Sequence, residues 1–123
     1  MTGATARQGF APHQRILTAA GFDAVYSKRQ RLADNFFSVN VAANTLGYAR
    51  LGLSIGTKVV GNSVARNRVK RQVRDSFRRV ASELPAVDVV VGARNGARTA
   101  HNAHLRESLD ELWKEIQKRC VVS

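Results

Sequence analysis

Seven cations crowd the stretch from Asn62 to Ala81: Arg66, Arg68, Lys70, Arg71, Arg74, Arg78 and Arg79, opposed by a single acid, Asp75. The stretch supplies +6 of the chain's formal net charge of +11. Surface helices ordinarily mix signs, because opposite charges three or four residues apart attract and like charges repel. Asp75 can pair with Arg71 or Arg79 at four-residue spacing, and the remaining cations have no partner within the segment. Their repulsion is relieved by an anionic partner or by salt. Arginine outnumbers lysine here, and a planar guanidinium binds phosphate through two parallel hydrogen bonds where an ammonium acts as a point charge. Asn67, set among the cations, can both donate and accept, which suits a base edge, a 2′-OH or a hydrated ion. The chemistry this pattern fits best is nucleic-acid binding; the competing readings are a solvated charged face or a membrane-facing one.

Material for protein-borne catalysis is thin. Asp23, Asp34, Asp75 and Asp88 are scattered, and two-metal hydrolysis needs carboxylates converging on ions about 3.5–4 Å apart. Cys120 is the only cysteine, so neither an internal disulfide nor a cysteine-based metal cluster is available. Of the histidines, His13, His101 and His104, the last two lie three apart near the start of a helix. They read as exposed polar residues rather than metal ligands. We therefore expect no catalytic side chain and no metal site in the protein itself.

The cations need a scaffold. At about 100° per residue, Val69, Val73, Phe77 and Val80 fall on one stripe of a helix with Ala65 and Ser76 beside it, while Asn67, Arg71, Arg74 and Arg78 fall on another. This is an amphipathic helix with an apolar face for a core and a cationic face for an anion. Gly61 ends what precedes it, and Asn62 or Ser63 can cap its first turn.

The 123 residues are most economically one domain. We expect a flexible arm over 1–14, an α+β RNA-binding domain over 15–119 and a tail over 120–123. Thr18 can cap a short helix from Ala19 to about Lys28 that puts Phe22, Val25 and Tyr26 on one face, as core or as a stacking platform. Lys28, Arg29 and Arg31 form a second basic cluster, and Asp34-Asn35 reads as a turn. Phe36 to Ala42 alternates as a strand, with Phe37, Val39 and Val41 on one side and Phe36, Ser38 and Asn40 on the other. The second set can hold an unstacked base, although a half-exposed sheet looks the same. Asn44 to Gly47 predicts a hairpin into a strand from Tyr48 to Ile55, in which Gly52 and Ser54 leave one face open to close approach by another backbone. Val87 to Ala93 is a β-branched run typical of a central strand. Arg94, Asn95 and Arg98 make a third basic site in the loop that follows. A last helix from about Asn102 carries Leu105, Leu109, Leu112, Trp113 and Ile116 on one face. Five of the nine acids lie in that helix or at Glu83, so positive charge is segregated rather than spread. The order helix, strand, strand, basic helix, strand, helix predicts a small mixed sheet with helices packed mainly on one face and a βαβ crossover containing the basic helix. From pattern alone that crossover is right-handed.

The run Arg66-Asn67-Arg68-Val69-Lys70-Arg71, continuing through Arg74, Asp75, Phe77 and Arg78, resembles the signature of the bacterial ribonuclease P protein subunit. Phe22-Asp23-Ala24-Val25-Tyr26 resembles that family's aromatic first helix, Arg50 to Ile55 its strand before the basic helix, and Asp88-Val89-Val90-Val91 with Ala93-Arg94 its last strand. The resemblance covers about Arg15 to Leu112. It implies a ribosomal-protein-like sandwich with a left-handed crossover. It also implies an accessory subunit that joins a large catalytic RNA to remove 5′ leaders from precursor tRNAs. The RNA then performs the metal-dependent phosphodiester hydrolysis, with Mg²⁺ held by the RNA and none by the protein alone. Carried over residue by residue, Arg66, Asn67, Arg68, Lys70, Arg71, Arg74 and Arg78 meet the catalytic RNA, and Phe22, Tyr26, Phe36, Phe37, Asn40 and Lys58 line the leader cleft. Family members often show two adjacent lysines where this chain has Thr57-Lys58, and often a tyrosine where it has Asn40.

Other classes compete on composition alone. A pI near 11.3 suits a ribosomal or other structural RNA-binding protein equally well, and only the order of motifs separates the two. A major-groove DNA reader lacks a helix-turn-helix partner of proper spacing before the basic helix. No apolar run approaches the eighteen or more residues of a spanning helix, and the N-terminus lacks the apolar core of a secretory signal. The single cysteine fits a reducing, cytoplasmic setting, which is the one expected.

Overall fold

The computed structural model describes residues 15–16, 19–28, 30–56 and 61–122. The expected arm over 1–14, the Thr18 cap, Arg29 and Lys58 lie outside the described residues. The elements are α1 (Ala19–Ser27), β1 (Gln30–Ala33), β2 (Phe37–Ala43), β3 (Arg50–Ser54), α2 (Ser63–Val80), β4 (Val87–Ala93), a 3₁₀ turn (Asn95–Arg98) and α3 (Asn102–Val122). The expected α+β class holds, and α3 runs through Cys120 to Val122, where the sequence suggests a tail.

The sheet order is β1-β2-β4-β3. β4 is antiparallel to β2 and parallel to β3, so β3, the basic helix α2 and β4 form the expected βαβ unit. The anticipated hairpin between β2 and β3 is absent, because β4 separates the two strands. An almost continuous apolar strand must be covered on both faces and flanked on both edges, and Val87, Val89, Val90 and Val91, all at most 1 % exposed, give β4 that position. The 44–49 segment is a wide loop braced by Asn44, whose side chain accepts from the Leu46 N–H and donates to the Tyr48 carbonyl. The true hairpin joins β1 and β2. There Asp34 accepts from the N–H groups of Phe36 and Phe37, both at 2.8 Å. β1 is the strand the sequence hides, since Leu32 is its only buried residue and one apolar side chain makes no period.

Odd-numbered residues of β2 and β4 face a core shared with α2 and α3. Val69, Val73 and Phe77 of α2 and Leu105, Leu109, Leu112, Trp113 and Ile116 of α3 meet Phe37, Val39, Val41, Val89 and Val91 there. Phe77 and Trp113 pack edge to face, and the Trp113 indole N–H donates to Ser76 Oγ at 2.6 Å, which satisfies the only polar atom of a ring buried at 1 % exposure. The opposite face is covered by α1, through Val25 packed on Ile16, Ala42 and Val90 with Phe22 alongside. Two helices therefore lie on one face and the shortest on the other.

Candidate nucleic-acid interface

The basic helix begins where its sequence signals it. The Asn62 side chain accepts from the Ala65 N–H at 2.8 Å, and Gly61 turns the chain with φ +102°. Because Val69, Val73, Ser76 and Phe77 face the core, Asn67, Arg71 and Arg74 are exposed and Arg66 and Lys70 half-buried. Burial, then the nearby charges of Arg66 and Arg74, hold the Lys70 ammonium below the usual lysine range. The second of these causes, repulsion among neighbouring cations, is one that a polyanion relieves.

Two expected RNA contacts are engaged within the protein. Arg78 pairs with Asp75 at 3.1 Å, one residue nearer than the four-residue pairings the sequence suggests. Its Nε is buried without a hydrogen-bond partner, so this side chain is folded against the helix. Arg68 points away from the cationic face. Its Nη1 donates to the Ala100 carbonyl at 3.1 Å and to Asn102 Oδ1 at 2.8 Å, and its Nη2 to the carbonyls of Ala97 and Arg98 at 3.3 and 3.4 Å. The helical wheel places it beside the core stripe, where the 3₁₀ turn and the residues leading into α3 supply these acceptors.

The cationic face continues into a groove of about 210 Å³ lined by Arg15, Phe22, Gly52, Leu53, Lys70 and Arg74. Segment 15–16 reaches it by running parallel to β3, with the Ile16 N–H donating to the Leu51 carbonyl at 3.0 Å. Phe22 closes on β3 because residue 52 has no side chain. A Cβ there would stand 2.5 Å from Phe22 Cε1. The sequence anticipates a close approach at Gly52 by a backbone, and an aromatic ring makes it instead. Along the α1 face of the sheet, Arg31, Asn40, Val90 and Gly52 form one cross-strand row, and Ser38, Gly92 and Ser54 the next. Asn40 thus shares a face with the groove, two strand spacings or about 10 Å from Gly52. Tyr26 lies 40 % exposed on α1.

The remaining aromatic candidates belong elsewhere. Phe37 is fully buried in the core beneath α2 and α3, so it can touch no leader. Strand alternation carries it to the face opposite α1. Phe36 packs against that same core and lines a cavity with Asp34, His104, Glu107, Ser108 and Glu111, so it joins α3 rather than α1. The turn held by Asp34 precedes the strand and breaks the alternation that would have placed Phe36 beside Asn40. Arg15 is the groove residue that sequence reasoning misses, and no periodicity could have found it.

The acids are occupied with structure. Asp34 holds the β1–β2 turn and accepts from the Ser108 hydroxyl, while Asp88 receives Arg50 through two hydrogen bonds, at 2.8 and 2.6 Å, and Asn44 at 2.8 Å. Burial pushes the Asp88 carboxyl up, but these hydrogen bonds and the Arg50 charge outweigh it and hold the group below the usual carboxylate range. Among the described residues no group of three or more His, Cys, Asp or Glu could hold a metal ion, and no helix is long and apolar enough to cross a membrane. His101 and His104 are exposed, with their rings edge to face.

Comparison with known proteins gives a consistent result. The family described as Ribonuclease P matches residues 10–117. A ribonuclease P protein component of Chromohalobacter salexigens is 39 % identical over 112 residues, covering 90 % of this chain and 88 % of the relative. One from Idiomarina loihiensis is 37 % identical, covering 86 % of each chain. The structure of the Staphylococcus aureus RNase P protein superposes with a TM-score of 0.80 at 32 % identity, covering 85 % of this chain and 97 % of that one.

Proposed function

This chain belongs to the ribonuclease P protein family, and we propose that its basic helix and the adjoining groove divide the work between the RNA subunit and the precursor tRNA. As a ribonuclease P protein component it is an accessory subunit of an endoribonuclease and works with an RNA subunit in tRNA 5′ processing. Arg66, Asn67, Lys70, Arg71 and Arg74 present phosphate-binding groups toward the RNA subunit. The groove between α1, β3 and α2 takes the single-stranded leader of precursor tRNA, with Phe22 and Tyr26 for base contact and Asn40 on the same sheet face. The observation that carries the leader assignment is that Phe22 shares its groove with Lys70 and Arg74, which stand at the border of the two surfaces, so one strand can meet cations and an aromatic ring together.

Hydrolysis belongs to the RNA and its Mg²⁺ ions. The protein lowers the cost of bringing two polyanions together and so reduces the Mg²⁺ concentration the reaction needs. A cytoplasmic setting suits this role. The test is precursor-tRNA cleavage at low Mg²⁺ with a bacterial catalytic RNA, with and without the protein, and with the protein alone. Cleavage only when both are present supports the assignment; cleavage by the protein alone, after removal of contaminating nuclease, refutes it.

A further inference from the structure

The third basic site, on the turn after β4, is left unused by the groove and by the exposed face of α2, yet the fold carries it to the start of that helix. Arg98 is exposed, and its guanidinium lies against Gly61, where a Cβ would meet Nε at 3.0 Å and Nη2 at 3.2 Å. No ion pair holds Arg98 among the described residues. The backbone that carries it is bound by Arg68, whose guanidinium spans the carbonyls of Ala97, Arg98 and Ala100 and the Asn102 side chain. Ala97 is fully buried beneath, and its N–H donates to the Arg94 carbonyl at 2.9 Å, so the turn is anchored on both sides.

We propose that Arg98 is a phosphate-contacting residue that extends the RNA interface from α2 onto this turn, and that Arg68 positions it from inside the protein. Arg68 is thereby removed from direct contact although it stands in the most cationic run of the chain. A guanidinium is suited to this post because its planar fork satisfies several carbonyls at once, which a lysine ammonium on a flexible stem does not reproduce. The cationic surface then extends from Arg74 and Arg71 toward the start of α2, where Arg98 lies against Gly61.

The proposal rests on the RNA-binding reading of α2, and one experiment separates the two. Affinity of the full chain for the catalytic RNA is measured across a salt titration for the wild type and for Arg71→Ala, Arg98→Ala, Arg68→Ala, Arg68→Lys and Arg68→Ala/Arg98→Ala. Removing one cation–phosphate pair lowers the slope of log K against log salt by about 0.7–0.9. Arg98→Ala is expected to lower the slope by one such step and to weaken affinity several-fold. Arg68→Ala and Arg68→Lys each do the same, and the double variant falls no further than either single one. If Arg71→Ala lowers the slope and Arg98→Ala does not, the extension onto the turn is wrong while the helix reading stands. If neither changes it, the helix reading itself fails. A double variant whose slope falls by two steps, or Arg68→Lys with the wild-type slope, places Arg68 on the RNA and overturns its positioning role. Circular dichroism melting shows whether the Arg68 variants fold; Arg98→Ala, at an exposed position, decides the phosphate contact whatever they do.

Discussion

Replacing Gly52 with alanine tests the geometry that joins α1 to the sheet. An added Cβ would stand 2.5 and 2.9 Å from Phe22 Cε1 and Cζ, and 3.3 Å from Ile16 Cβ. Carbon atoms in contact prefer about 3.5–4.0 Å, so the ring must retreat by about 1 Å or more. The clashing atoms are the far end of a side chain, which makes displacement of Phe22 cheaper than displacement of the strand. Overpacking of this kind costs about 1–3 kcal/mol. Against this, alanine restricts the unfolded chain and recovers about 0.5–1 kcal/mol. We expect Gly52→Ala to destabilise the protein by about 0.5–2 kcal/mol, with the melting temperature falling by about 2–8 °C for a chain of this length. If the groove takes the leader as proposed, the displaced ring should also narrow the holoenzyme's preference for leader-bearing over mature tRNA. Thermal and urea unfolding give the first quantity and paired binding assays the second. Removing the ring removes the two shortest contacts and leaves only Ile16 Cβ at 3.3 Å, so in a Phe22→Ala background Gly52→Ala costs much less, a coupling readily seen in a double-mutant cycle. Equal effects of Gly52→Ala in both backgrounds would falsify the placement of Phe22 over β3.

Two further expectations follow from the core and from the ion pair between β3 and β4. Phe37→Leu, at a fully buried site, should cost about 1–2 kcal/mol in urea unfolding and leave the ratio of precursor to mature tRNA affinity unchanged; a selective loss of precursor affinity would return Phe37 to the leader site. Asp88→Asn should cost about 1–3 kcal/mol at neutral pH, because it leaves Arg50 without its carboxylate. The folded-state value of Asp88 lies below the unfolded one, so its stabilisation is complete above the unfolded value near ~3.9 and is lost as pH falls through the folded value. The gap between wild type and variant should thus hold steady from pH 7 to about 5 and close in more acid solution; a gap that persists unchanged to the lowest pH would mean the carboxylate is not its source.

Much of this molecule is legible in one dimension because helix and strand periods depend on neighbours in sequence. The apolar stripe of α2, its Asn62 cap, the buried run of β4 and the Leu105 to Ile116 face of α3 all stand where their spacing puts them. So does the segregation of charge, which needs only a count of residues along the chain. Where a signal is a single residue in a polar setting, as with Leu32 in β1, there is no period to detect.

Partner choice is another matter. Whether β2 returns beside β3 or leaves room for β4 depends on which strand has most apolar surface to cover, and the local turn at Asn44 carries no record of that competition. The same limit governs the site. Phe22 and Phe37 are equally aromatic in the sequence, yet one closes a groove over Gly52 and the other lies beneath two helices. Arg68 and Arg71 are equally basic, and only the carbonyls gathered between the 3₁₀ turn and α3 turn the first inward. Residue types and spacing determined which chemistry this chain could offer and the family it belongs to. The tertiary structure decided which of those side chains remain free to offer it, because burial and hydrogen bonding are settled by atoms that the chain brings together from distant positions.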